Sequence, residues 1–188
     1  MPNYIRARRA GGTFFFTLVT EGRRPILTTE LGRKCLSHAL CVTLTERPVI
    51  VEAMVLLPDH LHAVWTLPDG DTDYSTRWSL IKRRFVRAWL KAGGDERDRS
   101  DSRIHHRRRG VWQRRFWEHT VRGDEFHDIV AYIHFNPVKH GHASCPHAWE
   151  WSSFHQWVRE GKIDADWECG CASQIIARTF NEWFDQCE

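Results

Sequence analysis

The chain has 188 residues, enough for one domain with a hydrophobic core and short for two. Hydrophobic residues make up 41% and charged residues 27%, with 12 Gly and 7 Pro, which excludes collagen-like, low-complexity and wholly disordered chains. The net charge of +3 is segregated: residues 1–76 are neutral, residues 77–122 hold 15 Lys/Arg against 5 Asp/Glu, and residues 123–188 hold 4 against 11.

The start, Met1 to Ala10, carries Arg6, Arg8 and Arg9 but no apolar core or small-residue cleavage site, so no signal peptide is expected. No run approaches the roughly 20 apolar residues of a membrane span, because Glu52 interrupts the best one, Val49 to Leu57. A cytoplasmic protein follows as the expectation, with its six cysteines reduced rather than arranged as a disulfide framework. Cys169-x-Cys171, with Cys145 and His147 upstream, has zinc-ligand residue types but lacks the usual Cys-x2-Cys pairs, so reduced thiols are preferred there too.

Thr13 to Thr20 (TFFFTLVT) is aromatic and β-branched between glycine-containing turns, and reads as a buried strand. Thr29 to Glu46 has helical spacing at Leu31, Cys35, Leu36, Ala39, Leu40 and Leu44, with Thr29 as its cap. Pro48 to Leu57 and Leu61 to Leu67 are strand-like runs around Pro58-Asp59-His60, an antiparallel pair. Ser75 to Ala92 predicts a second helix with Trp78, Ile81, Phe85, Ala88 and Trp89 on its apolar face, ending at Gly93-Gly94.

Asp95 to Gly110 is polar and predicts a mobile loop or hairpin tip, and Val111 to Val121 predicts a strand with Trp112, Arg114, Phe116, Glu118 and Thr120 on one face. Asp124 opens a third helix through Phe126, Ile129, Val130 and Ile133, closed by Pro137 and Gly141. The order β-α-β-β-α-β-α predicts an α+β fold, an antiparallel sheet with helices on one face on the split βαβ or ferredoxin-like plan, with helical additions after Trp149.

The basic block interleaves Trp78, Trp89, Trp112, Phe116 and Trp117 with its cations. Cations displace counterions from phosphates and aromatic rings stack on bases, so nucleic acid is the expected partner. Alternation along a strand points His60 and His62 to one face and Leu61 to the core, so the two imidazoles can chelate one metal ion. In the third helix Tyr132 and Asn136 stand four residues apart and share a face. Taken singly, a core tyrosine and a helix-stop asparagine are the blander explanations.

His60-Leu61-His62 resembles the His-hydrophobic-His signature of HUH nucleases, and Tyr132 to Lys139 (YIHFNPVK) resembles the YIHxNPVK segment of the REP-associated tyrosine transposases. Arg8 to Thr17, Leu57 to His62, Val111 to Arg122 and Trp149 to Phe154 (WEWSSF) also look like blocks of that family, in order. The resemblance covers about residues 4–160. It departs at Gly141-His142-Ala143, where the family usually has Gly-Leu-Val, and stops before the tail beyond Lys162.

The resemblance implies a ferredoxin-like, RRM-like HUH nuclease domain over residues 1–160 with an extension over 161–188 packed on it. It implies a single-tyrosine endonuclease that nicks and rejoins single-stranded DNA beside palindromic hairpins. Tyr132 is the implied nucleophile, and His60, His62 and Asn136 the implied ligands of a divalent ion. Two imidazoles, an amide oxygen and waters suit Mn²⁺ and tolerate Mg²⁺. A free phenol titrates near about pH 10, so the tyrosine needs a target polarised by such an ion. Neither of the other tyrosines, Tyr4 and Tyr74, sits on a helix facing a metal motif.

DNA contacts are expected from Lys82, Arg83, Arg87, Arg107, Arg108, Arg109, Arg114 and Arg115, with Arg6, Arg8 and Arg9 as an arm. His119, His127, His134 and His140 are expected to be structural or phosphate-facing. The implied setting is the bacterial cytoplasm, in association with the nucleoid, as a monomer or homodimer. A catalytically silent hairpin binder and an RNA-binding module that stacks bases on Phe14 to Phe16 stand as alternatives.

Overall fold

A computed structural model describes residues 9–96, 105 and 109–169. Its strands are β1 (Thr13–Val19), β2 (Ile50–Leu56), β3 (His60–Thr66) and β4 (Trp117–Thr120), and its helices are α1 (Glu30–Glu46), α2 (Tyr74–Lys91), α3 (Phe126–Lys139) and α4 (Phe154–Arg159). The sheet is antiparallel in the order β2-β3-β1-β4. The α+β class with an antiparallel sheet is the architecture expected from the sequence.

Alternation in β1 sends Phe14, Phe16 and Leu18 to one face and Phe15 to the other. On the first face α1 and α2 close the main core, where Trp65 of β3 stacks on Trp78 of α2 with ring centroids 3.8 Å apart. Thr29 caps α1 by accepting from the Gly32 amide at 3.0 Å, and Asp73 caps α2 by accepting from the Thr76 amide at 3.0 Å. Arg77, buried on α2, donates to Asp71 at 2.6 Å and to the Arg47 and Pro48 carbonyls.

The helices occupy both faces rather than one. Val130 and Ile133 of α3 and Trp157 of α4 pack on Phe15, Ala53, Val55 and Val64, the opposite side of the sheet. The apolar side chains of α3 thus have their own sheet face to bury against, which a β-α-β-β-α-β order alone does not specify.

Three local expectations also change. Only Trp117–Thr120 of the 111–121 run pairs along β1, while Trp112 makes a single bridge to Thr20. Trp112 and Phe116 pack into the main core instead. Pro137 lies inside α3, buried, and the helix runs on to Lys139 before Gly141 at φ 71° ends it. Cys145 is joined to Cys169 by a disulfide, with Cα atoms 5.2 Å apart, where reduced thiols were expected; Cys35 is a buried free thiol.

The outer edge of β2 is covered. Leu56 N–H donates to the Trp151 carbonyl at 2.9 Å, Ser153 N–H to Met54 at 2.8 Å, and the indoles of Trp149 and Trp157 to Leu56 and Glu52 at 2.9 Å each. The segment around WEWSSF therefore closes an edge that would otherwise invite pairing with another chain. Among the described residues no helix is long and apolar enough to cross a membrane.

Candidate active site

His60 opens β3 after the Leu57-Pro58-Asp59 turn, closed by a bond from the Leu57 amide to the His60 carbonyl at 2.8 Å. Leu61 enters the main core, and His60 and His62, each 5% exposed, face α3. Their rings lie edge to face, 5.0 Å apart.

Each imidazole is fixed through Nδ1. His60 Nδ1 stands 2.6 Å from Asp59 Oδ1, and Asp59 Oδ2 accepts from Arg23 at 2.9 Å. His62 Nδ1 stands 2.8 Å from Oγ1 of Thr17, its register partner in β1. With Nδ1–H donating in both, each Nε2 presents a lone pair, the arrangement of a metal-ligating histidine. His62 Nε2 is buried and has no hydrogen-bond partner.

Burial pushes His62 down to about 3, reinforced by His60, His140 and Lys139, so the ring is neutral at physiological pH. Burial works to raise Asp59, but the hydrogen bonds from His60 and Arg23 outweigh it and leave the carboxyl below its ordinary range.

Helix α3 brings Tyr132, Asn136 and His140 to this face at four-residue steps. The Tyr132 ring is 5.5 Å from His62 and 6.1 Å from Phe15, and Tyr132 stays 39% exposed. The His140 ring is 5.2 Å from His60. Between them Asn136 is fully buried, and neither Oδ1 nor Nδ2 has a partner. Orphaning both atoms of a buried amide is costly. Together with the unpartnered His62 nitrogen it forms a neutral N and O donor set that fits a divalent cation.

Two groups here, Lys139 and Asp59, had no role in the expectations from sequence, and His140 was expected to be structural or phosphate-facing. Lys139 places its ammonium 4.7 Å over the Tyr132 ring, Asp59 orients His60, and His140 sits at the histidine pair. His140 was legible as the next four-residue step after Asn136. His134 is structural, bonded to Ser153 Oγ at 3.0 Å, and His119 pairs with Glu125 at 3.0 Å.

Of the expected DNA contacts, Lys82, Arg83, Arg109, Arg114 and Arg115 line one cleft of about 570 Å³, with Trp112 and Phe116 in its wall. Arg83, Arg114 and Arg115 are exposed, whereas Lys82 donates to the Gln113 carbonyl at 2.6 Å and Arg109 pairs with Glu96 at 2.7 Å. Arg87 is exposed on α2 but does not line that cleft, and Arg9 borders a separate one of about 390 Å³ beside Gly11, Gly12 and Arg122. Arg6, Arg8, Arg107 and Arg108 lie outside the described residues. Phe116 lines the first cleft, while the next residue, Trp117, is 53% exposed and packs edge-on against Phe15 on the α3 side.

No family model matches the chain. It is 39% identical over 170 residues to a REP-associated tyrosine transposase of Escherichia coli K12, covering 89% of this chain and 91% of that one. It is 36% identical over 168 residues to a relative of the same family name from Haemophilus influenzae, covering 89% and 93%. Among solved structures it is similar to a REP-associated tyrosine transposase bound to a REP hairpin, with TM-score 0.74, 36% identity, and 95% and 98% of the two chains covered.

Proposed function

The chain belongs to the REP-associated tyrosine transposases, and from that premise we propose that it nicks and rejoins single-stranded DNA beside palindromic hairpin repeats through Tyr132. One observation carries the reading: the exposed Tyr132 ring lies 5.5 Å from His62 of the same chain, a turn from the unpartnered amide of Asn136.

The Tyr132 hydroxyl attacks the scissile phosphorus. A tyrosyl O–P bond forms as the bond from phosphorus to the 3′ oxygen breaks, leaving a 5′-phosphotyrosine and a free 3′-hydroxyl. The phenolic proton passes to solvent and the 3′ oxygen takes one up. The phosphodiester bond energy is retained, so a 3′-hydroxyl attacking the phosphotyrosine reseals the strand without a nucleotide triphosphate.

His60, His62 and Asn136 would hold a divalent ion, Mg²⁺ or Mn²⁺, and when bound it supplies charge that polarises the phosphate. Asp59 and Thr17 keep the two imidazoles oriented and neutral toward it. Lys139 sets a positive charge beside the phenol, where the phosphate must approach.

The hairpin is read as lying along the basic cleft, with Arg83, Arg114 and Arg115 on its phosphates. The single strand then crosses β4, where exposed Trp117 offers a stacking surface on the way to Tyr132. In this reading residues 1–160 are the nuclease domain and residues 161–188 an extension of it, of which 170–188 lie outside the described residues, and the setting is the nucleoid of a bacterial cytoplasm.

The test is incubation with single-stranded DNA carrying a hairpin repeat, with Mn²⁺, Mg²⁺ or EDTA, followed by denaturing gels and peptide mass spectrometry. A metal-dependent adduct on Tyr132, absent in Tyr132→Phe, is the expected result. Tight hairpin binding with no adduct under any metal would leave only a binding protein.

A further inference from the structure

Outside the catalytic constellation, Cys145, His147 and Cys169 each offer a ligand atom, and these three atoms lie within 4.8 Å of one another. Cys145 and His147 are 3% and 7% exposed. They flank Pro146 in the short turn Pro146–Ala148, which packs on α3, and Cys169 arrives from the turn in which its own amide donates to the Asp166 carbonyl at 2.9 Å.

We propose that Cys145, His147 and Cys169, in the dithiol state, bind a single Zn²⁺ ion, distinct from the divalent ion of the catalytic face. Two thiolates and an imidazole are a soft-to-borderline donor set that selects zinc over Mg²⁺ or Mn²⁺. Bonds of about 2.3 Å to sulfur and 2.0 Å to nitrogen put tetrahedral ligand atoms roughly 3.5–3.8 Å apart. A cluster within 4.8 Å reaches that spacing by side-chain rotation, with the Cα atoms of the two cysteines already 5.2 Å apart. The fourth position remains for water or a further donor.

The same two sulfurs cannot serve a disulfide and a metal at once. A pair of small thiols reduces the Cys145–Cys169 bond, two electrons and two protons converting it to two thiols while the reductant becomes a disulfide. Zinc then takes both sulfurs as thiolates and releases two protons. In either state the segment leading into Cys169 is tied to the loop that follows α3. Trp167 in that segment packs its ring 6.4 Å from Phe135 of α3 and 6.3 Å from Phe154 of α4. The ion would therefore brace the helix that carries Tyr132 through Phe135.

The full chain, reduced with a phosphine and kept anaerobic, should bind Co²⁺ with a thiolate-to-cobalt charge-transfer band and tetrahedral ligand-field bands. These should saturate at one equivalent and disappear on adding Zn²⁺. The bands should be lost in Cys145→Ser and Cys169→Ser, persist in the His60→Ala/His62→Ala double variant, and need at least tenfold more metal in His147→Ala. The unmutated protein supplies a check that does not depend on variant folding: Zn²⁺ should slow alkylation of Cys145 and Cys169, read by peptide mass. Absence of the thiolate band in the reduced protein, its survival in both cysteine variants, or alkylation rates indifferent to Zn²⁺ would each overturn the proposal.

Discussion

Asp59 is the residue through which the turn, the strand and the chemistry meet. It accepts from Arg23 with one oxygen and bonds His60 Nδ1 with the other, so it fixes both the ring plane and the tautomer of an imidazole on the face that carries Tyr132. Removing such an orienting carboxylate typically costs about 10–100-fold in metal affinity or activity. Asp59→Asn should accordingly raise the Mn²⁺ concentration needed for half-maximal adduct formation by about that factor, with the maximal yield largely recovered at saturating metal. An unchanged metal dependence would reject the role. The Asp59 signal was present in the sequence as the residue before His60, but a neighbouring carboxylate bonds a histidine only if the turn folds back, and that depends on the Leu57 to His60 hydrogen bond.

At the scale of elements, α2 and the approach to β4 share the basic cleft. Arg77 and Arg84 of the same helix are consumed internally, by Asp71 and by Glu46 at 2.6 Å, whereas Arg83, Arg114 and Arg115 are exposed along the cleft. Replacing those three with Ala should weaken hairpin binding and lower the slope of log affinity against log salt by about 2–3, read by titration at several salt concentrations. A slope equal to that of the unmutated protein would remove the cleft from the binding path. The expected strand fails at the same place for a physical reason. Alternation from Val111 to Val121 resembles one long strand, yet Trp112 and Phe116 find more apolar surface in the core beneath α2 than in pairing, so the ladder starts only at Trp117. By contrast β1, α1 and the β2–β3 pair were legible to within a few residues, because each carries a core-facing pattern that no neighbour contests. His60, His62, Tyr132 and Asn136 were legible from spacing and resemblance, whereas the placement of α3 on the far sheet face was not, since periodicity names the buried side of a helix and not what buries it.

For the molecule as a whole, two neutral histidines buried on the α3 side contribute to its response to acid. Burial holds His62 and His134 at about 3, against an ordinary value of 6.5. Below about pH 6.5 the unfolded chain takes up protons that the folded one refuses, so stability falls as pH drops from 6.5 toward 3, by up to about 1.4 kcal/mol per pH unit for each ring. Urea midpoints measured at pH 7.5, 6 and 5 should decline in that order, and His134→Gln should flatten the decline. A midpoint that rises on acidification would contradict the burial of these rings as neutral species. In the proposed reaction the nucleophile and both imidazoles come from one polypeptide, with Tyr132 beside its own His62. Cleavage under saturating DNA should therefore be first order in protein, with a turnover per molecule that dilution does not change. An equimolar mixture of Tyr132→Phe and His62→Ala chains should stay silent, because neither could lend the other its missing half.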